Sequence, residues 1–333
     1  MLGFAVFGAG RIGALHAANV ATHPAAKLVS VYDVRRPAAE ALSGRLGAKA
    51  APSVEAALAD RAVGAALIAS STDTHVDLIT AAARAGKAVF CEKPIDLDIG
   101  RVERCRKEIA GTGVPVQIGF NRRYDASHRA LRDAVRAGEI GEPELVIISS
   151  RDPEPASADF LKTSGGLFRD MMIHDFDMAR FVLGEEPVEV FAAGSVKVDP
   201  AIGAIGDVDT AMVTMKTASG VLVHINNSRR AVYGYDQRIE AFGSMGMLLS
   251  DNRRATTLER HTERATAAKE PLLRFFIERY AEAYARELDD FIAAVEKGAP
   301  PAVGFEDGRR ALILADAAFE SNRIGRPVKV RYD

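Results

Sequence analysis

Leu2-Gly3-Phe4-Ala5-Val6-Phe7-Gly8-Ala9-Gly10-Arg11-Ile12-Gly13 is an apolar run that ends in three spaced glycines, and residues 12–22 then show helical apolar spacing. Its last six residues fit G-x-G-x-x-G, a pattern that acquires a mechanism only where a strand turns into a helix. Gly8 permits the tight turn, Gly10 lets the backbone approach a pyrophosphate, and Gly13 allows close helix–strand packing. Arg11 and Ile12 fall at the helix start, where free amides face phosphate oxygens. Asp33 closes the next apolar run, 27–32, and stands twenty residues beyond Gly13, the place for a carboxylate on the adenosine ribose. A carboxylate there repels a 2′-phosphate, so the expected cofactor is NAD. Arg35 and Arg36 follow closely enough to leave NADP tolerance open.

Working outward, short apolar runs at 65–69, 88–91 and 116–119 alternate with helical patterns at 37–46, 53–59, 74–85 and 98–110. Alternating strands and helices imply a parallel, doubly wound sheet. After Asn121 the pattern changes. One helix at 126–137 is followed by strands at 144–150, 188–198, 209–217, 221–227, 238–243 and 246–249, with tight turns such as Ala218-Ser219-Gly220. Such a succession reads as a mostly antiparallel sheet with one apolar face, because Ala211, Val213 and Met215 alternate with Met212, Thr214 and Lys216. Two long helical patterns, 272–296 and 306–323, precede a last strand at 327–331. The expected architecture is therefore α/β: an N-terminal doubly wound Rossmann domain, 1–120, then an α+β domain, 121–333, built on a large, mostly antiparallel open sheet.

The chain has 333 residues, 43 basic and 45 acidic, for a formal net charge of −2. That balance argues against a nucleic-acid binder. No apolar run is long enough for a membrane span. Residues 1–10 lack the basic start and cleavage site of a signal peptide. The two cysteines, Cys91 and Cys105, have no metal spacing and do not make a disulfide framework. A cytoplasmic location is the expectation.

Cys91-Glu92-Lys93-Pro94 follows the fifth predicted strand, at an edge that borders the ligand crevice of a doubly wound sheet. Spacing alone does not separate Lys93 from an ordinary turn lysine. In Gly165 through Asp177, Asp170 and His174 are four apart, which puts both on one face of a predicted helix. A histidine beside a carboxylate suits a general base, and of seven histidines only His174 has acids at both i−4 and i+3, the latter Asp177. No second histidine stands nearby to complete a metal site. These residues suit oxidation of a secondary alcohol: His174 takes the hydroxyl proton, Asp170 orients the imidazole, and Lys93 stabilises the developing alkoxide.

The glycine loop, Ser71-Thr72-Asp73-Thr74-His75, Glu92-Lys93-Pro94 and the Asp170/His174 segment together resemble the Gfo/Idh/MocA oxidoreductase family over nearly the whole chain. Within it, 91–97, 119–125, 150–153, 165–180, 226–230 and 233–238 are most similar to its inositol-oxidising branch. The resemblance implies NAD-dependent oxidation of myo-inositol to 2-keto-myo-inositol, as in inositol catabolism, by a homotetramer built through the second domain's sheet. It implies Lys93, Asp170 and His174 as the catalytic set. Ser71, Thr72, Glu92 and Lys93 would approach the cofactor, and Arg122, Asp152 and Tyr233 would line the polyol site with Lys93, Asp170 and His174. Asn121 and residues 154–157 depart from the branch pattern, which leaves open the isomer, or another cyclic polyol or pyranose. A non-catalytic nicotinamide-binding sensor is the remaining alternative, and such a sensor need not retain the lysine and the aspartate–histidine pair together.

Overall fold

The strand that precedes the glycine loop, β1 (Leu2–Phe7), is buried along almost its whole length, as a central parallel strand must be. The computed structural model describes all residues, 1–333. After β1 come α1 (Arg11–Thr22), β2 (Ala26–Tyr32), α2 (Arg36–Leu46), β3 (Lys49–Ala50), α3 (Val54–Ala59), β4 (Ala65–Ile68), α4 (His75–Arg84), β5 (Ala88–Glu92), α5 (Ile99–Ile109) and β6 (Val116–Gly119). The six strands are all parallel in the order β3-β2-β1-β4-β5-β6. This is the doubly wound order whose switch point lies between β1 and β4, so ligands meet the sheet beyond the carboxyl ends of those strands.

A second series follows: α6 (Ala126–Arg136), β7 (Pro143–Arg151), α7 (Ala158–Thr163), α8 (Gly166–Asp170), α9 (Ile173–Leu183), β8 (Pro187–Ser195), α10 (Pro200–Ala204), β9 (Thr210–Thr217), β10 (Leu222–Ser228), β11 (Asp236–Gly243) and β12 (Gly246–Ser250). A hairpin of β13 (Glu259–Thr262) and β14 (Ala265–Lys269) comes next. The chain ends with α11 (Phe276–Arg279), α12 (Ala281–Lys297), α13 (Phe305–Ile324) and β15 (Val328–Lys329). The second sheet runs β12-β11-β7-β10-β9-β8-β15. Every neighbouring pair is antiparallel except β7 with β10. The alternation expected in β9 is present: Ala211, Val213 and Met215 are buried in the core, whereas Met212 is 56 % exposed.

The chain forms two compact units, Met1–Asn121 with Tyr284–Leu312, and Arg122–Ala283 with Ile313–Asp333. The segment Tyr284–Leu312 thus lies within the 121–333 stretch that the strand pattern assigns to the second domain, yet it packs with the first. The reason is a stripe on α12: Leu288, Phe291 and Ile292 join the core of the parallel sheet, with Phe291 against Phe4 and Phe90 at ring separations of 6.0 and 5.6 Å. Residues 272–296 do not form the single helix that their spacing predicts. Leu272 makes an isolated bridge with Arg254, and Tyr280 interrupts the helical run.

Candidate active site

In the first unit the glycine loop connects β1 to α1 at the switch point. Gly8 has φ +105°, a conformation that favours glycine, and a Cβ there would come within 2.4 Å of the Ala69 carbonyl oxygen. A Cβ on Gly13 would lie 2.0 Å from the Gly8 carbonyl oxygen, while one on Gly10 would meet nothing within 4 Å. The two flanking glycines are therefore demanded by the fold, whereas Gly10 borders open space. Asp33 follows β2, and its Oδ2 accepts the Ala9 amide at 2.7 Å, tying the loop to that strand. A carboxylate has about four acceptor positions, so Asp33 retains acceptor capacity beyond this loop contact. Arg11 opens α1 with Ile12 beside it. Arg36 donates to Glu40 at 2.8 Å, and Arg35, also largely in solvent, lies 3.7 Å from Asp33 Oδ1. The donor set fits NAD.

Ser71 and Thr72 stand just after β4, at the N-terminal edge of a single 3₁₀ turn. Lys93 follows β5, and its peptide bond to Pro94 is cis. His75 supports that turn from below: it is buried, with Nδ1 2.8 Å from the Pro94 carbonyl oxygen and Nε2 3.2 Å from that of Ser70. Burial pulls the His75 pKa down. Glu92 accepts the Lys93 amide on Oε2 at 3.3 Å and lies 2.7 Å from His16 Nε2 through Oε1. The sequence reading did not include His16 or His75 in the site, because their partners are more than fifty residues away or are backbone carbonyls.

In the second unit Asp170 and His174 are not on one helix, as their spacing predicts. Asp170 ends α8 and His174 lies in the first turn of α9. Met171 and Met172 between them stay close to helical dihedrals, but the Met172 amide reaches back five residues to Leu167. That wider turn shifts the register, and both methionines are buried at the break. Arg229, 1 % exposed, directs both terminal nitrogens at Asp170 Oδ2, each at 3.4 Å. Asp177 accepts Arg123 on its two carboxylate oxygens, at 2.7 and 2.5 Å.

Arg122 is buried, and its guanidinium donates to Asp175 at 2.7 Å, to Ser150 at 2.9 Å and to the Tyr235 hydroxyl at 3.5 Å. Asp175 also accepts Asn227 at 2.8 Å. Burial raises the pKa of Asp175, against the pull of Arg122. Tyr233 is 47 % exposed, donates to Asp236 at 2.7 Å and accepts from Arg151 at 2.9 Å. The Asp152 amide donates to the Ser228 carbonyl, which fixes Asp152 at the end of β7 beside β10. Arg229 and Asp175 are polar residues that sequence reasoning missed as parts of this region. Their signal is a charged side chain with no exposure, which only the fold reveals.

Residues 2–120 match the profile of an oxidoreductase family with an NAD-binding Rossmann fold, and residues 128–249 match the Gfo/Idh/MocA C-terminal domain. The chain belongs to the Gfo/Idh/MocA family. It is 50% identical to an inositol 2-dehydrogenase of Rhizobium meliloti (strain 1021) over 327 residues, which cover 98% of each chain. A myo-inositol 2-dehydrogenase of Thermotoga maritima is 48% identical over 98% of this chain and 97% of its own. Among solved structures of the family, a scyllo-inositol dehydrogenase from Lactobacillus casei with bound NAD(H) and scyllo-inositol superposes with a TM-score of 0.92. It is 30% identical and each chain is covered to 99%. As a member of this family, the protein is an NAD-dependent oxidoreductase.

Proposed function

We propose that the protein oxidises the C2 hydroxyl of myo-inositol to 2-keto-myo-inositol, with NAD as acceptor. The observation that carries this reading is the 50% and 48% identity, over nearly the full length, to inositol 2-dehydrogenases, in a chain that carries Lys93, Asp170 and His174. Bound NAD supplies the hydride acceptor. His174 takes the hydroxyl proton as general base, and its Nδ1 or Nε2 holds that proton until solvent removes it. Lys93 donates a hydrogen bond to the same oxygen and places positive charge where the alkoxide develops. Asp170, approached by Arg229 at 3.4 Å, is assigned to orient the imidazole. Arg122, Asp152 and Tyr233 belong to the polyol-recognising region; Arg122 does so by fixing Asp175 and Tyr235.

A homotetramer formed through the open sheet fits the exposed apolar side chains of Leu222, Leu145, Phe242 and Met247 on adjacent strands. No helix is long and apolar enough to cross a membrane. A reducing, cytoplasmic setting accords with two free thiols, Cys91 and Cys105, both buried.

The deciding experiment measures NADH formation by purified protein with myo-inositol, with scyllo-inositol, chiro-inositol and glucose alongside, and with NADP replacing NAD. Turnover highest on myo-inositol with NAD is expected. Turnover on another polyol alone would move the specificity to that substrate. NAD binding without turnover on any of them would replace the enzyme reading with that of a sensor.

A further inference from the structure

Beneath the Lys93 turn, inside the first unit, three ionisable side chains from three elements converge. They are His16 on α1, Glu92 at the end of β5 and Glu287 on α12, with one ligand-capable atom from each lying within 4.8 Å of the others. His16 Nε2 is 2.7 Å from Glu92 Oε1 and 4.0 Å from Glu287 Oε1. His16 and Glu287 are fully buried. The His16 ring is packed edge-on to Phe90 and Tyr284, at 5.1 and 5.5 Å. Neither carboxylate oxygen of Glu287 has a hydrogen-bond partner, and neither does Gln117 Oε1. The Gln117 amide is spent on the Glu287 backbone carbonyl at 2.9 Å.

The cluster is rich in acceptors and short of donors. Two ionised carboxylates, one of them without any partner, cannot be sustained in an aromatic-lined interior, where an unpaired charge is expelled or neutralised. A divalent cation would relieve the excess, but the His16–Glu92 separation of 2.7 Å is that of a direct hydrogen bond. One proton relieves it equally and adds the missing donor.

We propose that Glu287 is held as a neutral carboxylic acid beside the His16–Glu92 pair, and that this cluster positions the Lys93 turn from inside the sheet. Burial, reinforced by the neighbouring Glu92 carboxylate, pushes Glu287 well above the usual carboxyl range. The facing groups are His16 from α1, Glu92 from β5, Gln117 from β6, which does not titrate, and Tyr284 one turn back on α12. Glu92 transmits the effect because its other oxygen accepts the Lys93 amide at 3.3 Å. A Cβ on Gly119 would sit 3.0 Å from Glu92 Oε2, so glycine there leaves this carboxylate its place. Glu287 is thus a positioning residue, and that half of the proposal rests on the role assigned to Lys93 above.

The test compares wild type with Glu287→Gln and Glu287→Leu. A carboxyl that stays protonated when folded but ionises near 4.5 when unfolded makes the wild type lose stability steadily as pH rises, and the amide abolishes that slope. The melting temperature of Glu287→Gln minus that of wild type should therefore widen from about pH 6 to about pH 9. A constant difference overturns the neutral acid, and so does a stoichiometric divalent ion found by elemental analysis of the purified protein. In turnover assays Glu287→Leu should lower kcat about tenfold to a hundredfold with NAD affinity little changed, since small displacements of a catalytic group cost that much. Glu287→Gln, which supplies a neutral donor of the same shape, should restore most of it. Full turnover by Glu287→Leu overturns the positioning role. Should Glu287→Leu not fold, the pH comparison with Glu287→Gln still decides the protonation. Absence of wild-type turnover would count against the proposed reaction, while the thermal comparison needs no substrate and would still decide the state of Glu287.

Discussion

Two residues carry the proposed chemistry, and they fail differently when removed. His174→Ala deletes the proton acceptor, so kcat should fall by about 10²- to 10⁴-fold while NAD affinity stays near that of wild type. Lys93→Ala should lower kcat by about 10²- to 10³-fold, because it removes a donor aimed at developing charge. Steady-state kinetics beside equilibrium NAD binding distinguish the two from simple substrate contacts: a variant that raised only KM would not hold a catalytic role. At this scale the sequence named the catalytic candidates but not their supports. Asp170 needs Arg229, fifty-nine residues onward, and Glu92 needs His16, seventy-six residues earlier. Each pairing spans too many residues for any spacing rule to register it.

The glycine loop is the element in which local sequence and local structure agree most closely, since a strand–turn–helix crossing dictates its own residues. Gly13→Ala drives a methyl group into the Gly8 carbonyl, which calls for a loss of about 1–3 kcal/mol in unfolding free energy together with weaker NAD binding. Gly10→Ala meets open space in the free protein, so its melting temperature should match wild type while NAD affinity drops by about tenfold or more. Calorimetric unfolding and NAD titration of the two variants check this, and a destabilised Gly10→Ala would contradict it. Between α8 and α9 the element scale defeated the spacing rule. A period of 3.6 residues holds only while each amide reaches four residues back, and the Met172 amide reaches five.

Across the whole molecule the open sheet leaves one face unusual. Leu222 lies opposite Leu145, Leu145 opposite Phe242, and Phe242 opposite Met247, so four strands place an apolar rung side by side. All four side chains are exposed, between 39 and 53 %. An apolar strip of that kind is the mark of an interface. If this face carries the proposed homotetramer, Leu222→Lys should reduce the mass seen by light scattering, and an unchanged mass would remove the face from the proposed contact. Acid sensitivity also belongs to this scale. His128 of α6 is buried against Ser250 at 2.8 Å, and burial pulls its pKa down to about 3, with Arg279 adding to that and Asp125 opposing it. Its folded pKa lies below the unfolded value of 6.5, so the native state is favoured above pH 6.5 and loses that advantage as pH falls towards 3. Each pH unit in that window costs up to about 1.4 kcal/mol. Unfolding near pH 5 should take up close to one more proton in wild type than in His128→Asn, read by calorimetry in buffers of different ionisation heat.

The sequence by itself determined the parallel sheet and the glycine loop between β1 and α1, and it supplied the residue types proposed for the ribose contact and the reaction, because each depends on near neighbours in the chain. Alternation in β9 likewise told which residues face the core. Only the tertiary structure decided where α12 packs, since Phe4 and Phe90, which receive its Phe291, lie far earlier in the chain. It also decided that Arg122 and Arg229 are buried beside carboxylates and that Glu287 lies against Glu92. Burial and long-range charge are properties of the folded interior, and no local pattern carries them.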